Sequence, residues 1–411
     1  MNTSGHPLDP KAHRWRLGGL AVVVLAQCLG TSLWFSPAGA AVGLMARWQL
    51  DGPGFAWLLA ATQLGFIGGS LLLAITGAAD RWPASKVFAA SCVLGALANA
   101  SVVMSQMGVA TAWWVRVLVG VSLAGIYPLG MKLVVQWVGG KPALALAWLV
   151  AMLTLGTAMP HALRAFGVSW PWEHVLVGAS LFALVGGLAV AAVGDGRFRP
   201  PAANALRLST LDLRTLAKRP ALRASAGGYF GHMWELYAFW AVVPLLCAPL
   251  LTRPDVAQVA TGWWSWLPAV VIGAGALGCL LGGYIARAVG SAPVAFVALL
   301  SSGLVGLVYP FVPHSMVGLK LCLLLAWGIL VVADSPQFSA LSSQAAPPRL
   351  LGMTLVLQNG LGFLISVVSI VLLGALMDRW GERALWLLVP GPLWGAWAMR
   401  SLVWPTGRST G

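Results

Sequence analysis

Long runs without a charged residue follow one another along almost the whole chain. A helix needs about 20 consecutive apolar residues to cross the hydrocarbon core of a membrane. Eight uncharged runs reach that length, and four further segments reach it when one or two internal charges are included. The pattern predicts twelve transmembrane helices, at 17–38, 55–77, 84–106, 112–133, 142–163, 175–194, 224–250, 262–288, 292–312, 318–341, 351–376 and 384–404.

Composition excludes a water-soluble or disordered protein. Hydrophobic residues make up 59% of the 411 residues and charged residues only 9%, whereas soluble domains carry about 25% charged residues. The mean hydropathy is +0.84. The five cysteines lie inside apolar stretches and none pairs in a CxxC spacing, so we expect no cofactor. These features predict an all-α membrane protein of several spans.

The basic residues lie in the short gaps between spans. The positive charge of the chain, +14 in total, is therefore not gathered on one face, as nucleic-acid binding would require. Successive gaps between spans lie on opposite sides of the membrane. Counted in this way, 18 of the 25 Lys and Arg residues lie on the side of the N-terminus and six on the other side. Because cytoplasmic loops carry the excess of Lys and Arg, we expect both termini in the cytoplasm. The surroundings would be the lipid of a bacterial-type inner (plasma) membrane.

One polar segment divides the chain. Residues 195–223 hold seven basic and two acidic residues between the sixth and seventh predicted spans. The sequence thus predicts an N-terminal six-helix bundle over 1–194, a basic cytoplasmic linker over 195–223 and a C-terminal six-helix bundle over 224–411.

Two carboxyl groups lie well inside predicted spans. Glu235 is in the seventh span and Asp334 in the tenth, where a charged group costs on the order of 2.5–3.5 kcal/mol on insertion scales. His232 precedes Glu235 by three residues, a spacing that places both on the same face of a helix. We expect a proton-coupling site with Glu235 as carrier and His232 and Asp334 as partners. A network that only fixes helix packing, or a divalent-metal site, would use the same residues.

Short motifs resemble those of the major facilitator superfamily. Gly77-Ala-Ala-Asp80-Arg81, followed by Lys86, lies between spans 2 and 3, where that superfamily carries a Gly-x-x-x-Asp-Arg signature. The match is partial, since Pro83 stands where a glycine is usual. The resemblance implies two related six-helix bundles that rock about a central site. It also implies that Asp80, Arg81 and Lys86 form a conformational latch, although a charge cluster that only sets topology would look the same.

The fourth span adds a second motif, Arg116-Val-Leu-Val-Gly120, similar to the superfamily's Arg-x-x-x-Gly pattern. The resemblance implies that Arg116 binds substrate or takes part in coupling. Its place near a predicted helix end also allows the side chain to extend to the membrane surface. In the resembled fold, spans 1, 4, 7 and 10 line the cavity, which gives as candidate substrate-binding residues Arg116, Trp34, Gln27, Tyr127, Tyr237 and Gln337.

These observations predict a proton-coupled secondary transporter of a small polar or anionic organic solute. The alternative is a proton-driven exporter, an antiporter of amphipathic compounds or drugs. A divalent-metal transporter and a membrane-embedded enzyme are more remote, since the sequence has no HExxH motif. We expect a protein that is not an enzyme and that works as a monomer, with the solute, protons and lipid as its partners.

Overall fold

A computed structural model describes residues 10–104, 106–138, 143–167, 170–198, 210–251, 263–347 and 350–404. Within them the regular structure is helical. The helices are α1 (Pro10–Thr31), α2 (Ser36–Gly39), α3 (Ala41–Trp48), α4 (Gly52–Thr76), α5 (Ala78–Arg81), α6 (Ala84–Ser101), α7 (Val109–Val138), α8 (Ala143–Phe166), α9 (Glu173–Val193), α10 (Thr210–Ala217), α11 (Pro220–Leu251), α12 (Leu267–Val289), α13 (Ser291–Val308), α14 (Val317–Ala333), α15 (Ser335–Ala345), α16 (Leu351–Trp380) and α17 (Pro390–Val403).

The helices agree with twelve membrane crossings. Ten candidate spans of the described chain are long and apolar enough to cross a membrane. The last of them, Leu351–Val403, contains both α16 and α17, joined by the 3-10 turn Gly381–Leu387. A shorter apolar helix, Leu17–Thr31, belongs to the first crossing. The protein is therefore an all-α, multi-pass membrane protein, as the sequence predicted.

Two six-helix bundles make up the fold. In the first, α7 packs against α4 and α6, and α9 packs against α6 and α1. In the second, α11 packs against α17 and α16, and α12 packs against α14. The bundles meet where α4 contacts α16 and where α8 contacts α12. These two helix pairs form the boundary between the bundles.

The two bundles share one packing feature, a glycine at a close helix contact. Gly120 and Gly328 each precede a proline by eight residues, Pro128 and Pro336. A methyl group added to Gly120 would collide with the backbone of α4, and one added to Gly328 would collide with the backbone of α12. Small residues allow such close helix contact in membranes. Both bundles therefore hold equivalent helix pairs at backbone contact.

The first crossing is interrupted, which the continuous span predicted over 17–38 does not anticipate. Residues 32–35 form a turn between α1 and α2. Pro37 follows the turn, and because proline has no N–H it leaves the carbonyl of Leu33 without its helical donor. The backbone N–H of Ala38 donates to the carbonyl of Phe35 at 3.0 Å. The carbonyl of Trp34, four residues before Ala38, therefore also lacks its helical donor.

The tenth crossing has a matching interruption at Asp334, between α14 and α15. Pro336 removes the N–H that would bond the carbonyl of Val332. The thiol of Cys279 on α12 donates to that carbonyl at 3.5 Å. The break places Asp334 between the end of α14 and the start of α15.

Candidate functional site: a central cavity between the bundles

A small cavity of about 40 Å³ lies between the two bundles. Since one water needs at least about 10–15 Å³ measured in this way, the cavity has room for only a few waters and the conformation is closed around it. Five helices and the start of α15 contribute side chains. The lining residues are Tyr127, Val150, Leu153, Tyr229, His232, Met233, Leu236, Tyr237, Trp240, Val332, Ser335, Ser339, Asn359 and Phe363.

The chemistry of the lining is neutral and aromatic. His232 is the only histidine in the lining that the structure describes. Tyrosine and serine hydroxyls and the Asn359 amide supply hydrogen-bonding groups, and the remaining surface is apolar or aromatic. No Lys, Arg, Asp or Glu belongs to the lining that the structure describes. Such a surface suits an uncharged polar solute better than an anion.

His232 connects the cavity to the break in the tenth crossing. Its Nδ1 lies 2.8 Å from Oδ1 of Asp334, and its Nε2 forms a hydrogen bond of 2.9 Å with the hydroxyl of Ser335. Both His232 and Asp334 are almost completely buried. The contact between Nδ1 of His232 and Oδ1 of Asp334 is an ion pair when the imidazole is protonated.

Glu235 lies inside the second bundle. One oxygen of its carboxyl group accepts from the hydroxyl of Ser302 on α13 at 2.8 Å. The other accepts from the indole N–H of Trp327 on α14 at 2.7 Å. The side chain is buried and does not belong to the cavity lining. The structure therefore brings His232 and Asp334 together but points Glu235 away from them.

Helix geometry explains that separation. The cavity-lining residues of α11 are Tyr229, His232, Met233, Leu236, Tyr237 and Trp240, a stripe with steps of three and four residues. At about 100° per residue, Glu235 lies roughly 130° from the centre of this stripe. A three-residue spacing alone was too coarse a criterion, and it left Tyr229 and Trp240 unnoticed. The whole periodic stripe around His232 would have identified both.

Arg116 neither lines the cavity nor extends to the membrane surface, the two positions that the sequence allowed. The side chain is 1% exposed, lies inside the first bundle and does not line the cavity. Its Nη2 donates to the carbonyls of Leu33 and Trp34 at 3.0 and 2.9 Å, which the break after α1 had freed. Its Nη1 donates to Oδ1 of Asn99 at 2.7 Å, and Thr62 accepts from its Nε at 3.1 Å.

No carboxylate takes part in the described contacts of Arg116. Every partner is a neutral oxygen: two backbone carbonyls, two hydroxyls and one amide. Asn99 in turn donates its amide to the carbonyl of Leu176 at 2.9 Å and to Ser180 at 3.0 Å. The guanidinium therefore holds the broken first crossing against α4, α6 and α9.

The other predicted substrate residues fall into two groups. Tyr127 and Tyr237 line the cavity. Trp34, Gln27 and Gln337 are buried but do not line it. Gln27 is fully buried, and neither its amide nitrogen nor its amide oxygen has a hydrogen-bond partner among the described residues.

Trp34 closes the space between the bundles. Its indole N–H donates to Oε1 of Gln63 within the first bundle at 3.0 Å. Its ring stacks on Tyr237 and on Phe363 of the second bundle, each at a centroid distance of 5.6 Å. Phe66 packs against Phe363 at 4.4 Å. These rings block one side of the cavity.

Contacts at the end of the bundle away from the chain termini also join the two halves. The backbone N–H of Gly52, at the start of α4, donates to Oδ2 of Asp378 on α16 at 3.2 Å. A methyl group on Gly374 would come within 2.5 Å of the side chain of Ala56. The structure is thus closed at this end by backbone contact and by one carboxylate at a helix start.

Of the predicted latch residues, Asp80 and Arg81 lie on α5 and Lys86 lies in the first turn of α6. Arg81 and Lys86 are exposed, while the side chain of Asp80 lies outside the described part of the structure. The carboxylate at the start of α6 belongs instead to Asp195, which accepts from the backbone N–H groups of Ala84 at 3.2 Å and Ser85 at 2.8 Å. Asp195 therefore ties the end of α9 to α6, a contact that its place in the polar segment did not suggest.

No metal cluster accompanies these groups. In the residues that the structure describes, no three His, Cys, Asp or Glu side chains come close enough to share a metal ion. Glu235 is turned toward Ser302 and Trp327. The divalent-metal alternative has no geometry to support it in this part of the chain.

Comparison with known proteins gives a family and a fold. A crystal structure of a mutant of the nucleoside transporter NupG superposes with a TM-score of 0.70 at 15% sequence identity, covering 94% of this chain and 99% of that one. At this identity the match concerns the fold alone. No curated protein matches the sequence. The family model of the Major Facilitator Superfamily matches residues 20–368. The chain belongs to the Major Facilitator Superfamily and is a membrane transporter, not an enzyme.

Proposed function

We propose that this protein couples the movement of protons to the transport of a small, uncharged polar solute by alternating access. The observation that carries the proposal is the contact of His232 with Asp334 at a helix break beside the cavity. Burial favours the neutral form of a carboxyl group, whereas a nearby cation favours the carboxylate. A change in the distance between the two groups therefore changes how tightly they hold a proton.

The break in the tenth crossing supplies the means of such a change. Asp334 belongs to the junction of α14 and α15, while His232 belongs to the continuous helix α11. A small rotation at the junction would separate the two side chains. Proton binding and the opening of the cavity would then be linked. This assignment moves the coupling role expected for Glu235 to the pair that lies beside the cavity.

The lining favours a neutral solute with a flat ring. Three tyrosine hydroxyls, two serines and Asn359 offer hydrogen bonds, and Phe363, Tyr237 and Trp240 offer aromatic faces. The anionic solute considered from the sequence depended on Arg116, which lies outside the cavity. The protein of similar fold, NupG, is a nucleoside transporter. A nucleoside has the required ring and hydroxyl groups, so it is the first solute to test.

The test is uptake of uridine and adenosine into proteoliposomes under an imposed proton gradient. We expect uptake that collapses when an uncoupler is added. Asp334→Asn should abolish uphill uptake but retain exchange of labelled for unlabelled solute, because the cavity stays intact. The matched control is Asp51→Asn, an exposed acid that caps α4 through Gly54 at 2.8 Å, a position where Asn serves equally well. Uphill uptake by the Asp334 variant equal to that of the control would refute the coupling role.

Export of amphipathic compounds is the second candidate, and one feature favours it. A further cavity of about 100 Å³ lies between the bundles near the end away from the termini. Its lining is mostly apolar and includes Met45, Phe55, Leu59, Ile370 and Met377. Flexible methionines suit ligands of varied shape. Proton-driven extrusion of a fluorescent amphipathic dye from vesicles, with no uptake of nucleosides, would establish this function instead.

A further inference from the structure

Trp240 carries a hydrogen-bond donor that nothing in the described structure uses. The residue is fully buried on α11, and its side chain lines the central cavity. Its indole nitrogen has no hydrogen-bond partner among the described residues. Buried donors without a partner are rare in folded proteins, and leaving one unpaired costs more than a typical hydrogen bond gains. Such a group in a cavity points to a ligand that supplies the missing acceptor.

Three other tryptophans near the same helix show the contrast. Trp34 donates to Gln63 at 3.0 Å, Trp327 to Glu235 at 2.7 Å, and Trp234 to the carbonyl of Leu387 at 2.7 Å. The fold therefore pairs each of these indole N–H groups. Trp240 differs from them in lining the cavity.

The ring of Trp240 is held by its neighbours. Tyr237 meets it nearly edge-on, with centroids 5.3 Å apart and planes at 79°. Phe35, from the first bundle, meets it at 5.9 Å and 89°. Edge-to-face contacts of this kind favour one orientation of the ring. Because the donor points in a fixed direction, it binds well only to a solute whose acceptor atom lies at the matching position.

We propose that Trp240 is a specificity-determining residue whose indole N–H donates to an acceptor atom of the transported solute. The inference rests on the proposed function and deepens it. The recognised solute carries a carbonyl oxygen, ring nitrogen or hydroxyl oxygen close to its flat ring. When no solute is bound, a water molecule takes the place of that acceptor, and the solute displaces it when the cavity enlarges.

Trp240→Phe tests this, because it keeps an aromatic ring and removes only the N–H and part of the ring area. The probes are uridine or adenosine, whichever the proteoliposomes take up faster, and analogues that each lack one acceptor atom. For the parent solute we expect the substitution to weaken binding about tenfold, as loss of one hydrogen bond would. For one analogue, which lacks the acceptor facing Trp240, the substitution should have almost no effect.

The matched control is Trp234→Phe, six residues earlier on the same helix. It removes an indole N–H that donates to Leu387 and lies outside the cavity, so it should weaken all probes equally or not at all. A uniform loss across every analogue in the Trp240 variant would overturn the proposal, because it would show lost packing rather than a lost hydrogen bond. Unchanged binding of the parent solute would also overturn it.

A second measurement does not depend on the solute. In protein labelled with nitrogen-15 at tryptophan, the indole signal of Trp240 is identified by its absence from the Trp240→Phe spectrum. We expect its N–H to exchange with deuterium faster than that of Trp234, which a carbonyl holds. Equal protection would mean that the protein itself occupies the donor, and the proposal would fail. Absence of nucleoside uptake together with fast exchange would count against the proposed solute alone.

Discussion

The two bundles bury charge differently beside their broken crossings. In the first, one permanent cation, Arg116, is surrounded by neutral oxygens only. In the second, the acids Glu235 and Asp334 are held by a hydroxyl, an indole and an imidazole. Because the guanidinium cannot lose its proton in a protein, the first arrangement is fixed. The second consists of groups that can gain or lose protons.

The difference follows from what each network does for the backbone. Arg116 satisfies carbonyls that the broken first crossing leaves free, a task that needs several donors in a fixed geometry. At the break in the tenth crossing, the thiol of Cys279 donates to the carbonyl of Val332 that lost its helical donor. Asp334 does not have that task and interacts with His232. Two similar breaks thus have different surroundings: one bundle gains a rigid junction, the other the contact between His232 and Asp334 on which the proposed coupling rests.

The largest expected effect is that of Arg116→Ala. It removes the donors to Trp34 and Thr62 and leaves Leu33 with the hydroxyl of Ser36 as its remaining described donor. We expect a loss of stability on the order of 3–5 kcal/mol, the cost typical of breaking a buried charged network. Thermal unfolding in detergent would measure it, with Arg287→Ala as control, since that arginine is exposed over the ring of Tyr284. A similar melting temperature for the two variants would show that the first bundle does not depend on its buried cation.

The sequence predicted the helices better than the site. Apolar stretches of membrane-crossing length, four of them with one or two internal charges, locate the crossings, because a backbone in lipid must satisfy its own hydrogen bonds within a helix. The break after Thr31 was missed, although Pro37 marks it, because the hydrophobic pattern continues through the turn. The direction of Glu235 was missed for a different reason. A buried acid signals importance, but only the neighbouring helices determine whether it faces the cavity or Ser302.

A smaller effect is expected for Glu235→Gln, which tests whether Glu235 and Asp334, the two acids buried in the second bundle, have separate roles. The amide keeps the shape but can accept only one of the two hydrogen bonds from Ser302 and Trp327. We expect a loss of about 1–3 kcal/mol from one unpaired buried donor, with uphill uptake retained in proteoliposomes. Retained stability with loss of proton-driven uptake would reverse the assignment and make Glu235, rather than the His232–Asp334 pair, the carrier.

The smallest effect is that of Ser302→Ala, which removes one of the two donors to Glu235. Trp327 remains bonded to the other oxygen, so we expect a loss of about 1 kcal/mol. The control is Ser122→Ala in the first bundle, where the serine donates only to Leu118 of its own helix. If Ser302 acts through Glu235, the double variant with Glu235→Gln should lose less stability than the two single variants together. Strict additivity would mean that Ser302 stabilises α13 through its bond to Leu299 instead, and that Glu235 depends on Trp327 alone.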